Sequence, residues 1–142
     1  MLFAEVGSFP YNLLNFFHII GVILGAGAAF LAPVMAVQAR KAKGSTAMFD
    51  NAAAMVMAPG LFAAGIFGGA MVGASSDQLN FDEAWLSIGS LVWILATVAA
   101  AFAYPPSYIK LPDMSDKKPA ITGVLHLSLA VILILMVWKP GN

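Results

Sequence analysis

Charged residues divide this chain into four long apolar segments. The charge-free runs between the charged clusters are 34, 26, 26 and 20 residues long. About 20 apolar residues in a helix cross the roughly 30 Å hydrocarbon core of a bilayer. Because lipid offers no partner to an unpaired backbone group, each run is predicted to be helical. The clusters that separate the runs are Glu5, Arg40 to Asp50, Asp77 to Glu83, Lys110 to Lys118, and Lys139.

The predicted fold is therefore an all-α integral membrane protein, a single four-transmembrane-helix bundle over residues 1–142. The spans cover about residues 11–37, 52–73, 84–104 and 119–138. The first apolar run has no basic residue before it and a basic cluster after it. This order is typical of a retained helix and not of a cleaved signal peptide.

The basic residues predict the orientation of the bundle. The loops after the first and third spans hold six of the seven lysines and arginines, and the loop after the second span holds none. Basic loops of membrane proteins face the cytoplasm. Both termini are therefore predicted to lie outside, in a multi-pass protein of a bacterial cytoplasmic membrane.

Composition narrows the function. Only 10% of the residues are charged and the formal net charge is zero, so no nucleic acid partner is expected. The absence of cysteine excludes thiolate metal sites and thiol catalysis. All seven carboxylates lie outside the predicted spans, which argues against an ion-coupled transporter. No catalytic residue is predicted, and the chain is not expected to be an enzyme by itself.

The two histidines are the candidate functional residues, because each lies within a predicted span. An ionisable side chain inside a membrane is costly, and a neutral imidazole is a good axial ligand for haem iron. On the helical face of His18 lie Gly21 and Gly25, and Gly123 precedes His126 by three residues. Glycines beside a histidine would let a flat macrocycle lie against the helix. The alternative is that each histidine hydrogen-bonds a neighbour inside the bundle, such as Asn15 or Ser128.

The predicted depths of His18 and His126 argue against one iron bound by both. If the first helix enters at Tyr11 and the fourth at Pro119, from opposite sides, each histidine is roughly 10 Å deep. In a core of about 30 Å their depths differ by about 10 Å. One histidine per cofactor, or one cofactor and one structural histidine, fits better. Met57 is a second-ligand candidate near His126, but ordinary packing is the favoured explanation for it. A core position is likewise favoured over a cofactor contact for Trp93.

The second span carries small residues at four-residue spacing. Such residues let two helix backbones approach closely in lipid. The pattern predicts tight packing inside the bundle, or contact with other membrane subunits or with a second copy of the chain. One series consists of Gly60, Ala64 and Gly68, and the other of Gly65, Gly69 and Gly73.

The first helix, with LLNFFHIIGVILGAGAAFLAPVMA at residues 13–36, resembles that of small bacterial four-span membrane proteins of unassigned function. The ending LILMVWKPG resembles the ending of the same group. That group is similar in turn to copper-resistance D-type proteins and to the haem-binding four-helix protoporphyrinogen oxidase. The resemblance implies that His18 is an iron ligand. The oxidase is expected to use a lysine of a later helix as its second ligand, and no span of this chain contains a lysine.

Three functional hypotheses follow. The first is a small membrane protein that binds a b-type haem, or another tetrapyrrole, for electron transfer or haem handling. The second is a cofactor-free accessory subunit of a larger respiratory or photosynthetic complex. A copper or ion transporter ranks last, because the chain lacks intramembrane carboxylates and has only two histidines.

Overall fold

Four long α-helices account for most of the chain. The computed structural model describes residues 6–75 and 79–140, and these residues contain no strand. All four helices are long and apolar enough to cross a membrane, which confirms the predicted all-helical fold and indicates a multi-pass membrane protein. Glu5 and Asp77 lie outside the described residues. The helices are α1 (Phe9–Lys41), α2 (Ala47–Ala74), α3 (Ala84–Ala103) and α4 (Lys118–Trp138), with a short 3-10 helix (Ser115–Lys117) before α4.

The first two helices extend beyond their predicted spans. The 33 residues of α1 correspond to about 50 Å, well above the thickness of a hydrocarbon core. Helix α2 begins at Ala47, where the Ser45 hydroxyl accepts a hydrogen bond from the Ala47 N–H. Asp50 then lies in the first turn, where the helix dipole favours an acidic residue. Residues of the charged cluster between the first two runs, among them Arg40, Lys41 and Asp50, are therefore part of the helices and not of the loop.

The bundle is built from two antiparallel hairpins. Helix α1 packs most extensively against α2, and α3 against α4, whereas α2 meets α3 over a smaller area and α1 barely meets α4. The main buried cluster is dominated by alanine side chains from α1, α2 and α3, together with Met57 and Leu125. Small side chains allow close helix approach in lipid, where apolar burial itself supplies little drive.

An ion pair brings two loops to the same end of the bundle. Lys118 Nζ, at the start of α4, lies 2.9 Å from Asp50 Oδ1 near the start of α2. We call this the basic end, because it carries Arg40 and five of the six lysines. At the opposite end, Lys139 Nζ lies 5.4 Å from the centre of the Trp85 ring.

Candidate functional site: the intramembrane histidines

The backbones of α1 and α2 pack closely against each other at glycine positions. A Cβ atom on Gly21 would lie 2.6 Å from Ala64 N, and one on Gly25 would lie 2.5 Å from Leu61 N. From the other side, a Cβ atom on Gly60 would lie 2.6 Å from Gly25 N. Gly21 and Gly25 are fully buried. The space beside them, which sequence reasoning assigns to a macrocycle, is filled by the backbone of α2.

His18 lies one turn before this contact and bonds to α2. Its Nδ1 is 2.6 Å from the carbonyl oxygen of Ala64. A carbonyl oxygen only accepts, so Nδ1 carries the hydrogen and Nε2 keeps its lone pair. The ring lies over Gly68, where a Cβ atom would be 3.1 Å from Nδ1 and 3.2 Å from Cε1. The imidazole is thus held in one tautomer, with one nitrogen available to a ligand.

His126 bonds to α1 in a comparable way. Its Nε2 is 2.8 Å from the carbonyl oxygen of Ala29. Pro33 follows Ala29 by four residues inside α1 and has no N–H, so it removes the helical hydrogen bond that this carbonyl would accept. The imidazole replaces that bond, and its ring stacks on Phe30 with centroids 5.2 Å apart. His126 therefore completes the backbone hydrogen bonding of a neighbouring helix.

A tryptophan makes a third contact of this kind, which sequence reasoning missed by treating Trp93 as core. Its Nε1–H donates to the carbonyl oxygen of Leu61, at 2.6 Å. Gly65 follows Leu61 by four residues, and a Cβ atom there would overlap the indole ring. This bond joins the two hairpins through α2 and α3.

The three contacts share a sequence signal. In each, a ring N–H donates to a helix carbonyl, and the residue four positions later is glycine or proline. A carbonyl oxygen has two lone pairs, and in a helix it points towards the residue four positions on. Glycine there leaves room for a ring, and proline leaves the carbonyl without its usual donor. A glycine or proline inside an apolar helix is thus the sequence feature from which these ring-to-carbonyl contacts could have been predicted.

The neighbours that sequence reasoning suggested for the histidines, Asn15 and Ser128, are not their partners. Both rings instead bond to backbone carbonyls of another helix. Ser128 is buried on α4, and Asn15 is half-buried one turn before His18.

The structure separates the two histidines along the bundle. The His126 ring lies at Ala29, 11 residues after His18 on the same helix. At 1.5 Å per residue this separation is about 16 Å along α1. One iron cannot bind both. Twelve residues separate His126 from Trp138 at the end of α4, so His18 lies at about the level where α4 ends.

Among the other predicted site residues, Met57 is buried, whereas three of the glycines are exposed. Met57 is buried in the main core with Ala29, on the basic side of the Gly21–Gly25 contact, and does not reach His18. Gly123 is exposed, and its Cβ position is open. Gly69 and Gly73 are also exposed, and a Cβ atom on either would meet nothing within 4 Å in the part of the chain that is described.

Comparison with known proteins found no matching family model, no matching curated protein and no matching solved structure.

Proposed function

We propose that this protein binds one b-type haem, or another tetrapyrrole, through His18 and uses it for electron transfer or haem handling. The observation that supports this proposal is the hydrogen bond from His18 Nδ1 to the Ala64 carbonyl. A hydrogen bond from one ring nitrogen to a backbone carbonyl fixes the tautomer and leaves Nε2 as the metal-binding nitrogen. The haem would supply one-electron chemistry, and the protein would supply the ligand and its orientation.

The position of His18 along the bundle axis also favours its assignment as the haem ligand. The residue lies at about the level where α4 ends, in the half of the bundle opposite the basic end. A haem held there keeps its charged carboxylates near water, whereas deeper burial would strip them of hydration. The macrocycle would lie outside the α1–α2 contact, because the face of Gly21 and Gly25 is covered by α2.

Neither of the other candidate ligands would reach the proposed haem. His126 and Met57 both lie on the far side of the Gly21–Gly25 contact, so neither extends to an iron at His18. His126 has a structural role in this proposal, as partner of the Ala29 carbonyl.

The deciding measurement is an absorption spectrum of the detergent-purified protein, both oxidised and reduced with dithionite. We expect a Soret band with α and β bands in the reduced state. His18→Ala should abolish these bands, and His126→Ala, the matched control, should retain them. A colourless but folded preparation, or equal loss of haem from both variants, would refute the proposal.

The second candidate function is that of an accessory subunit in a larger respiratory or photosynthetic complex. The observation favouring it is the open surface of α2 at Gly69 and Gly73, which form a G-x-x-x-G pattern. This pattern supports close helix contact in membranes. Gly69→Leu with Gly73→Leu should release co-purifying membrane subunits, while Gly27→Leu on α1, whose Cβ position is also open, should not.

We further propose the orientation that the basic residues favour. The basic end would face the cytoplasm of a bacterium, with both termini outside. His18 would then lie in the outer half of the membrane. The proposed electron donor or acceptor would accordingly approach from the outer side.

A further inference from the structure

We propose that the basic end of the bundle is a binding surface for anionic phospholipid headgroups. Two loops that are distant in sequence meet there, because Lys118 at the start of α4 pairs with Asp50 at the start of α2. The basic residues of both loops therefore lie at the same end of the bundle, and we call them the basic patch. This surface does not depend on whether the protein binds haem.

The charge of this patch is strongly positive. Six basic residues lie at this end against three acidic ones, a net charge of +3. Among the described residues, Lys118 and Asp50 form the only ion pair, which neutralises one charge of each sign. The remaining basic side chains are exposed and make no ion pair within the described residues, although Arg40 Nε donates to the Ala36 carbonyl oxygen at 3.2 Å. They are Arg40, Lys41, Lys43, Lys110 and Lys117.

A groove beside the patch provides room for an acyl chain. It has a volume of about 300 Å³ and lies between the end of α3 and the loop before α4. Apolar side chains, including Phe102 and Leu111, line it together with Lys118. Asp113 also lines the groove, and its carboxylate accepts a hydrogen bond from the Ser115 N–H at 3.0 Å. This bond lowers the pKa of Asp113, which stays ionised near neutral pH and leaves phosphate binding to the surrounding lysines.

These features together match a lipid and not a soluble anion. Basic clusters immediately next to membrane spans attract anionic headgroups, with a contribution per residue equivalent to about fivefold in affinity. The patch lies where the spans meet water, so its charges are at the level of headgroup phosphates. The groove next to it offers an apolar surface that a free phosphate would not use.

The test measures lipid selectivity of the full-length protein in phosphatidylcholine vesicles. Spin-labelled phosphatidylglycerol or spin-labelled phosphatidylcholine is added in trace amounts, and electron paramagnetic resonance gives the immobilised fraction of each. We expect several-fold selection of phosphatidylglycerol, decreasing as salt is raised. Lys117→Gln should bring the selectivity measurably closer to one, and Lys110→Gln should act in the same direction.

Lys139→Gln is the matched control, because it removes one positive charge from the opposite end. It should leave the selectivity unchanged. Equal immobilisation of both lipids by the unmodified protein would overturn the proposal, as would equal effects of Lys117→Gln and Lys139→Gln. Loss of selectivity on adding glycerophosphate would also overturn it, by showing that the surface binds a soluble anion. Circular dichroism of each variant establishes that the helices are retained.

Discussion

His126 donates a hydrogen bond from Nε2 to the carbonyl oxygen of Ala29, across 2.8 Å between α4 and α1. Ala29 is four residues before Pro33, so its carbonyl lacks the N–H that a helix normally provides. An unpaired carbonyl is costly in a membrane, where no water replaces the missing donor. The role of His126 is therefore explained by Pro33 of another helix, which leaves the Ala29 carbonyl without a backbone donor.

This relationship predicts that His126 and Pro33 are energetically coupled. His126→Phe keeps the stack on Phe30 but removes the donor, and should destabilise the protein by about 1 kcal/mol. In a Pro33→Ala background the restored N–H of residue 33 can satisfy the Ala29 carbonyl, and the same change should cost much less. Unfolding in mixed micelles measures the four proteins of this double-mutant cycle. Additive effects of the two substitutions would contradict the interpretation.

The glycine contact between α1 and α2 predicts a position-specific response to alanine. Gly25→Ala places its Cβ atom 2.5 Å from a backbone atom of α2, which cannot rotate away. The helices must separate, and we expect a loss of about 1–3 kcal/mol in unfolding free energy. Gly27→Ala, two residues later, meets nothing within 4 Å and should be neutral or stabilising by up to about 1 kcal/mol. Similar effects at both positions would refute the packing described.

Trp93 provides an optical test of the contact between the hairpins. Gly65→Ala should displace the indole and break its bond to Leu61, because the new Cβ atom overlaps the ring. In a Trp85→Phe/Trp138→Phe background, the emission of Trp93 should shift relative to the unsubstituted parent. Gly69→Ala is the control, since its Cβ position is open. An unchanged emission spectrum in the Gly65 variant would place Trp93 elsewhere.

The position of both basic loops at one end is testable by labelling, because the chain contains no native cysteine. Single cysteines replacing Lys43 and Lys110 should react with a membrane-impermeant maleimide from the same side of sealed vesicles. A cysteine replacing Lys139 should react only from the opposite side. Inverted vesicles would expose the first two if the basic end is cytoplasmic, as proposed. Labelling of positions 43 and 110 from different sides would contradict the antiparallel arrangement.

The sequence by itself determined the number of helices and their approximate positions. Four charge-free runs, each long enough to span a bilayer, leave few other structures open to the backbone in lipid. Helix α3 ends at Ala103, just before Pro105 and Pro106, as expected because a residue that precedes proline disfavours the helical conformation. The extra turns of α1 and α2 at the basic end were not predicted, because they include charged residues such as Arg40, Lys41 and Asp50, at which the charge-free runs end.

Only the tertiary structure decided which partner each small or polar residue meets. Gly21 and Gly25 share the helical face of His18 in the sequence, yet a neighbouring backbone occupies their space. Spacing along one helix specifies a face, but the rotation and register of the adjacent helix decide what covers it. The same holds for His18 and His126, whose carbonyl partners belong to other helices and are 46 and 97 residues away in the chain.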